Sequence, residues 1–317
     1  MTARYEPPDA SRAPRYTGIK TFARCPFVPD VLDDVDVAVL GVPFDTGTTM
    51  RAGTRFGPEA IRSVSVMLRP YNPAQETKVF GSLSVVDRGD VEVTPQNGER
   101  TVEQIAEALA PVVRAEVTTL TLGGDHSIVL GELRAHAAVH GPLGLVLLDA
   151  HADLWDQYYG ERFFHGTPFR RALEEGLLDP SRSLLAGMRG SLYGPEDVAL
   201  PTDFGFEVLT CDELASLDPA EYGARVRARV GTGPLFLSFD IDVLDPAFAP
   251  GTGTPEAGGL STREALGFLR SLAGLRFSGF DVVEVSPPYD GPGQPTAVAA
   301  ANVAYELLTL AACAASP

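Results

Sequence analysis

Apolar residues in this chain gather into short, near-continuous runs: 37–42, 118–122, 143–148, 184–188, 206–209, 235–239 and 280–285. Runs of this length without polar alternation suit parallel strands covered on both faces. Stretches of helical period separate them, over residues 102–115, 127–140, 168–176, 220–230, 262–273 and 297–315. Some helix starts carry local signals. Pro58 follows Gly57 with Glu59 behind it, a first-turn arrangement. Ser261 stands three residues before Glu264, the spacing of a capping box. This alternation predicts an α/β fold with a parallel sheet between helix layers. No internal repeat or long linker interrupts it. The irregular, proline-rich residues 1–30 are expected to form an N-terminal arm, and 31–317 a single domain.

Composition changes this picture little. A chain of 317 residues, 44% hydrophobic and 21% charged, is ordinary for a globular protein and buries a large core without disulfides. Cys25, Cys211 and Cys313 are an odd, widely spaced set, which fits a reducing compartment and offers no paired-cysteine metal spacing. The first residues lack the apolar segment of a secretory signal. No apolar run approaches the roughly 18 residues of a membrane span. A cytoplasmic protein with no membrane partner is expected. The net charge of −17 argues against nucleic acid, which needs a basic footprint. It favours cationic small molecules or metal ions only weakly, since net charge reports mainly on solubility and association.

The chemistry lies where apolar runs end. In open α/β sheets, ligands bind at the carboxyl ends of strands. One run leads through Gly123-Gly124-Asp125 to His126, and another into Asp149-Ala150-His151-Ala152-Asp153. A third ends in Asp240-Ile241-Asp242, and a fourth in Glu284. In extended backbone alternate residues point the same way, so Asp149, His151 and Asp153 could converge on one point. Taken singly these features have plainer readings: a turn and helix cap at His126, an N-cap or a Mg²⁺ site at Asp240 and Asp242. Together, Asp149, Asp153, Asp240 and Asp242 would repel one another unless cations compensate. Carboxylates with two imidazoles and no thiolate favour Mn²⁺, with Fe²⁺, Co²⁺ and Zn²⁺ as alternatives. A metal pair that activates a water suggests a hydrolase.

These segments resemble the signature blocks of the ureohydrolase superfamily, which includes arginases and agmatinases. The three blocks are Gly123-Gly124-Asp125-His126-Ser127, the run from Asp149 to Asp153, and Ser238 to Pro246. The segment from Gly53 to Arg62 is similar to the family's N-terminal block, and Val283 to Pro287 to its C-terminal one. The resemblance spans about residues 35–310. It implies a three-layer α/β/α arginase-like fold with an eight-stranded, mostly parallel sheet, and two Mn²⁺ per chain. His126, Asp149, Asp153 and Asp240 would hold one ion. His151, Asp149, Asp240 and Asp242 would hold the other, with Asp149 and Asp240 bridging. It further implies a hydroxide shared by the metals as nucleophile and Asp153 passing its proton to the leaving amine. His165 would be a proton shuttle and Glu284 the carboxylate that orients the guanidinium. A homotrimer or homohexamer is usual in such families. For His165 a loop hydrogen bond, and for Glu284 a structural ion pair, are the plainer readings.

The substrate is less legible. Arginases carry a Ser-Gly-Asn-x-His-Gly loop for the α-carboxylate and an Arg-Asp-x-Asp segment for the α-amino group. This chain has Tyr158 to Gly166 and Met188-Arg189-Gly190-Ser191 in their places, so arginine is not the expected substrate. The run His165-Gly166-Thr167-Pro168-Phe169-Arg170 is similar to agmatinases and guanidino-acid hydrolases. In the 155–164 loop, Trp155, Tyr158, Tyr159, Phe163 and Phe164 either line a slot for a methylene chain or pack the loop down. Asp156 or Glu161 could meet the ammonium of agmatine, and Arg162 the carboxylate of 4-guanidinobutyrate or 3-guanidinopropionate. Agmatine, giving putrescine, is the preferred expectation because acids outnumber bases there. A mono-zinc deacetylase-like amidohydrolase and a non-catalytic binding protein are the remaining alternatives. The first would not need both Asp153 and Asp242, and the second would be expected to lack some ligands.

Overall fold

Strands covered on both faces need apolar side chains in both directions, and the strands found here have them. The computed structural model describes residues 4–30 and 32–315. Eight strands form one sheet: β1 (Val37–Val42), β2 (Val85–Asp90), β3 (Thr118–Gly123), β4 (Gly144–Leu148), β5 (Leu184–Met188), β6 (Glu207–Thr210), β7 (Leu235–Asp240) and β8 (Gly279–Val283). Their order across the sheet is β2-β1-β3-β8-β7-β4-β5-β6, and every pairing is parallel. Eight helices of seven or more residues accompany them: α1 (Gly57–Ser65), α2 (Gly98–Arg114), α3 (Val129–His140), α4 (Pro168–Glu174), α5 (Pro195–Asp203), α6 (Pro219–Val230), α7 (Thr262–Arg270) and α8 (Pro295–Ala315).

Alternation within each strand separates two layers. Val37, Leu120, Val146, Leu237 and Phe280 share a buried cluster with Ile61 of α1, Tyr222 of α6, Phe268 of α7 and Leu308 of α8. Leu145, Leu147 and Phe236 point the other way, to Leu133 of α3 and Phe169 of α4. Ala38 and Leu40 do the same, against Ile105 and Leu109 of α2. Capping fixes where helices begin. Ser261 Oγ accepts from the Glu264 N–H at 3.2 Å while the Ser261 N–H donates to Glu264 Oε2 at 2.8 Å, so the capping box is formed.

The structure departs from the patterning in two places, and it shows where the N-terminal segment lies. Strand β2 carries only two apolar residues before Asp87-Arg88-Gly89-Asp90, too short a run to stand out. Helix α8 is 21 residues long with a mean hydropathy of 1.5 over its best 18-residue window. That corrects the expectation that no segment reaches the length and apolarity of a membrane span. Most of that window, 72%, is buried against the rest of the chain, as in a core helix. The arm, finally, is docked along β2. The Phe22 N–H donates to Asp87 Oδ2 at 2.7 Å, the Asp87 N–H to the Pro26 carbonyl at 2.9 Å, and the Val28 N–H to the Asp87 carbonyl at 3.0 Å.

Chain order places the site. Strands β1–β3 build one half of the sheet and β4–β6 the other; β7 and β8 return to fill the gap. The carboxyl ends of β3, β8, β7 and β4 therefore stand side by side at the centre, where the winding reverses.

One ion pair holds the arm edge together. Arg62 of α1 donates from Nε to Asp87 Oδ2 at 2.8 Å and from Nη2 to Oδ1 at 3.0 Å, with both side chains buried. Removing one partner leaves a buried charge uncompensated. Arg62→Leu is expected to lower the free energy of unfolding by about 3–5 kcal/mol in urea denaturation. A change below about 1 kcal/mol would show that the pair carries little of the edge's stability.

Candidate metal centre

Local backbone rules set each ligand candidate. After β3 the chain must pass under Phe44, and a Cβ on Gly124 would collide with the Phe44 backbone. Asp125 then accepts from the Ser127 N–H at 3.0 Å, capping the turn and aiming His126 across the sheet ends. His126 Nδ1 lies 3.1 Å from Asp149 Oδ2, 3.0 Å from Asp153 Oδ2 and 3.2 Å from Asp240 Oδ2. His151 Nδ1 lies 3.1 Å from Asp242 Oδ2 and 3.5 Å from Asp149 Oδ1. Five of the six residues thus make two groups, His126–Asp149–Asp153 and Asp149–His151–Asp242, which share Asp149, and Asp240 stands beside His126. They do not converge by strand alternation. β4 ends at Leu148, and Asp153 reaches His126 from a left-handed backbone with φ of 50°. That conformation is costly for a residue other than glycine.

The carboxylates are oriented by neighbouring N–H groups. Asp149 Oδ1 accepts from the His151 N–H at 2.7 Å, Asp240 Oδ1 from the Asp242 N–H at 2.8 Å, and Asp242 Oδ1 from the Ala150 N–H at 3.1 Å. The second oxygens of Asp149 and Asp240 are left for the centre, and Asp242 Oδ2 faces His151 while accepting from Thr254 Oγ1 at 3.5 Å. Burial, and then the charge of Asp149, push the Asp153 carboxyl up to about 6. Burial and neighbouring acids raise Asp240 and Asp242 as well. Burial also acts against the Asp149 carboxylate, but His126 and His151 outweigh it and hold its pKa low. These acids need positive charge among them. His126 Nδ1 and Asp149 Oδ2 are buried and close, yet not aligned for a hydrogen bond with each other or with any other group among the described residues. Lone pairs that face a common point in this way, from carboxylate oxygen and imidazole nitrogen, fit first-row divalent cations.

Behind His126 runs a hydrogen-bonded chain. His126 Nε2 is 2.8 Å from Ser238 Oγ, and Ser238 Oγ donates to Asp281 Oδ1 at 2.7 Å. Since the serine proton is given to the carboxylate, His126 Nε2–H is the donor to Ser238. Its Nδ1 lone pair is then free for a metal, an arrangement usual behind ligating histidines.

A second cluster flanks the first. Glu284, at φ of 63°, is pinned by its N–H to the Gly124 carbonyl at 2.9 Å. Its Oε1 accepts from the His126 N–H and pairs with His165 Nδ1, both at 2.9 Å, while Oε2 is buried and without a hydrogen-bond partner among the described residues. Gly253 makes room beside that oxygen: a Cβ there would come within 3.1 Å of Oε2. The Thr49 N–H donates to His165 Nε2 at 3.2 Å, with Thr49 Oγ1 at 2.8 Å from the same nitrogen. Burial opposes charge on His165 and Glu284 beside it favours charge, raising the imidazole to about 9, while the Thr49 N–H needs the Nε2 lone pair and so favours the neutral ring. Thr49 and Gly253 lie far from these residues in sequence and carry no signal of their own. Arg189 is a further residue that sequence reasoning missed. It donates to the Asp242 carbonyl at 2.7 Å and the Glu256 carbonyl at 2.8 Å, clamping the segment that carries Asp242.

The substrate-loop residues sit apart. Arg162 pairs with Glu174 at 2.6 Å and Asp156 with Arg171 at 2.6 Å, while Glu161 is exposed. Among the described residues, no contact joins Arg162 or Glu161 to the metal-ligand cluster. The Trp155 ring stacks on Tyr158 with centroids 5.4 Å apart, and the Tyr158 and Tyr193 hydroxyls are 2.6 Å apart. Phe163 packs against the α2–α4 layer. These aromatics pack the loop against itself and onto the body.

A sequence model of the Arginase family matches residues 35–309. The chain is 48% identical over 308 residues to guanidinobutyrase of Pseudomonas aeruginosa, covering 96% of each. It is 46% identical over 302 residues to mitochondrial agmatinase of Gallus gallus, covering 95% of this chain and 88% of that one. Proclavaminate amidino hydrolase from Streptomyces clavuligerus superposes with a TM-score of 0.91 at 42% identity, covering 95% of this chain and 100% of that one. The fold is thus the three-layer α/β/α arginase fold, with a sheet parallel throughout. The chain belongs to the arginase family and is a hydrolase of that family.

Asp149→Asn removes the charge shared by both ligand groups. It is expected to abolish hydrolysis and to lower bound manganese, measured by elemental analysis after dialysis against Mn²⁺. Full activity in this variant would break the ligand assignment.

Proposed function

We propose that this protein hydrolyses a guanidino compound to urea and an amine, with agmatine, which yields putrescine, as its best substrate. The carrying observation is Glu284: a buried carboxylate with one oxygen held by His126 N–H and His165 and the other unpartnered beside Gly253. A planar cation offering paired N–H donors suits that free oxygen. His126, Asp149, Asp153 and Asp240 would hold one Mn²⁺, and His151, Asp149, Asp240 and Asp242 a second. The pair of ions would supply a water acidified enough to attack at neutral pH. Glu284 orients the guanidinium in line with that water, a positioning role. Asp153, next to His126, takes the proton released by the attacking water and hands it to the leaving amine. His165 exchanges protons with solvent through Nε2, where Thr49 Oγ1 can give or receive one.

Two observations support agmatine. Arg162 and Arg171 are already neutralised by Glu174 and Asp156, whereas Glu161 has no basic partner among the described residues. The uncompensated side chain of the loop is therefore acidic, which suits a terminal ammonium. Agmatinase is also among the names of the relatives. A guanidino acid is the second reading, supported by the guanidinobutyrase relative and by Arg51. The Arg51 guanidinium stacks 5.2 Å from the centre of the Tyr289 ring, and its carbonyl borders Gly253. Among the described residues it has no carboxylate partner, so it could receive a substrate carboxylate. A cytoplasmic homotrimer or homohexamer completes the proposal.

Urea release with Mn²⁺ on agmatine, 4-guanidinobutyrate, 3-guanidinopropionate and arginine tests the reading. Agmatine is expected to have the highest kcat/KM, and arginine a value lower by about 100-fold or more, the loss of close to 3 kcal/mol of transition-state binding. Turnover of a guanidino acid with none on agmatine would replace agmatine by that acid.

A further inference from the structure

Helix α3 covers the face of the sheet that carries His126's supporting chain, and that face is not apolar throughout. Thr121 of β3, Asp281 of β8 and Ser238 of β7 are in register on three adjacent strands, and all three are buried. Glu132 of α3 lies over this row with no exposure. Its Oε2 accepts from Thr121 Oγ1 at 2.7 Å, and its Oε1 has no hydrogen-bond partner among the described residues. Asp281 is similar: Oδ1 accepts from Ser238 Oγ at 2.7 Å and from the Phe239 N–H at 3.2 Å, while Oδ2 is unpartnered. Nothing in the proposed reaction uses Glu132.

Glu132 is bonded to Thr121, the register partner of Asp281, and each of the two buried carboxyls has one oxygen without a hydrogen-bond partner among the described residues. So close, they cannot both keep a charge cheaply, and one proton between them relieves the repulsion. The donors decide where it resides. Asp281 is served by two and Glu132 by one, so Asp281 stays the anion and Glu132 the acid. Burial, and then Asp281, push the Glu132 carboxyl well above its ordinary range, in keeping with this placement.

We propose that Glu132 is a positioning residue of the metal centre: its protonated carboxyl donates toward Asp281, and through Ser238 this keeps the His126 Nδ1 lone pair turned to the metal. The step rests on the metal-binding reading given above. Without a donor, Asp281 has an unsatisfied buried charge and takes up a proton itself. Ser238 then no longer has an anion to donate to, and His126 loses the bond that fixes its tautomer.

The test compares Glu132→Gln, which keeps a neutral donor, with Glu132→Met, which keeps the volume alone. Mn²⁺ is titrated into the metal-stripped full chain, and the stripped chain's own melting is followed alongside. Glu132→Gln is expected to bind Mn²⁺ within about threefold of the parent, and Glu132→Met about 10–100-fold more weakly, the range for losing the support of a metal ligand. The stripped proteins should melt alike. Parent-like affinity in Glu132→Met would overturn the proposal, as would a loss in Glu132→Gln equal to that in Glu132→Met. Should Glu132→Met fail to fold, Glu132→Gln and Asp281→Asn decide: the first must bind like the parent and the second at least about tenfold more weakly. A parent chain that binds Mn²⁺ and releases urea sustains the functional reading whichever way the variants fall.

Discussion

Four carboxylates forced to one point are the constraint on which this structure turns. A pair of unit charges about 4 Å apart repel by about 4 kcal/mol at an effective dielectric of about 20, and Asp149, Asp153, Asp240 and Asp242 are all at least largely buried. Strand order answers part of the difficulty. It brings four carboxyl ends together at the sheet centre, where acids can lean on backbone N–H groups of the strand-end turns, their own for Asp149 and Asp240 and the one after β4 for Asp242. Asp149, Asp240 and Asp242 each spend one oxygen that way. The other oxygens face inward, and only cations can make that arrangement comfortable.

The same constraint reaches a further row back. An imidazole among acids tends to take a proton, and a protonated His126 cannot ligate. The Ser238–Asp281 chain keeps the ring proton on Nε2 and so leaves the lone pair on Nδ1, where a metal ion can take the place of a second proton. The cost is a stripe of polar side chains through a layer otherwise made of Leu, Val and Phe. Buried polar networks are stable only when each member is satisfied. The polar stripe and the metal centre therefore have to be judged as one unit.

Much of this was legible in the sequence, for physical reasons. Parallel strands must be apolar on both faces, so seven of the eight announced themselves as continuous runs; β2 did not, because Asp87 to Asp90 bind the arm and α1 instead of filling a core. The ligand candidates stood out because a strand end is where side chains can leave the core for the sheet's rim. Asp153 was found for the wrong geometric reason, since a left-handed turn, not strand alternation, delivers it. Thr49, Gly253 and Arg189 were invisible because their roles come from contacts with residues distant in the chain, across more than a hundred positions for Thr49, more than fifty for Arg189 and about thirty for Gly253. Ser238 lies inside a recognised block, yet its partnership with Asp281 depends on strand register, which no local pattern encodes. The 155–164 loop was ambiguous in sequence for the reason it is ambiguous in space: its charges and rings mostly satisfy one another.

The docking of residues 26–28 against Asp87 also bears on how the molecule meets copies of itself. An open parallel sheet has two flanks whose unpaired N–H and C=O groups can recruit a foreign strand. Phe27 bridges to Asp87 in parallel fashion, so the arm works as a hem along one flank. At the other flank the four-residue β6 begins with Glu207, which Arg225 holds at 2.5 Å, a short and charged border. A segment that looks like a trailing end is thus what keeps a wide, all-parallel sheet from being sticky.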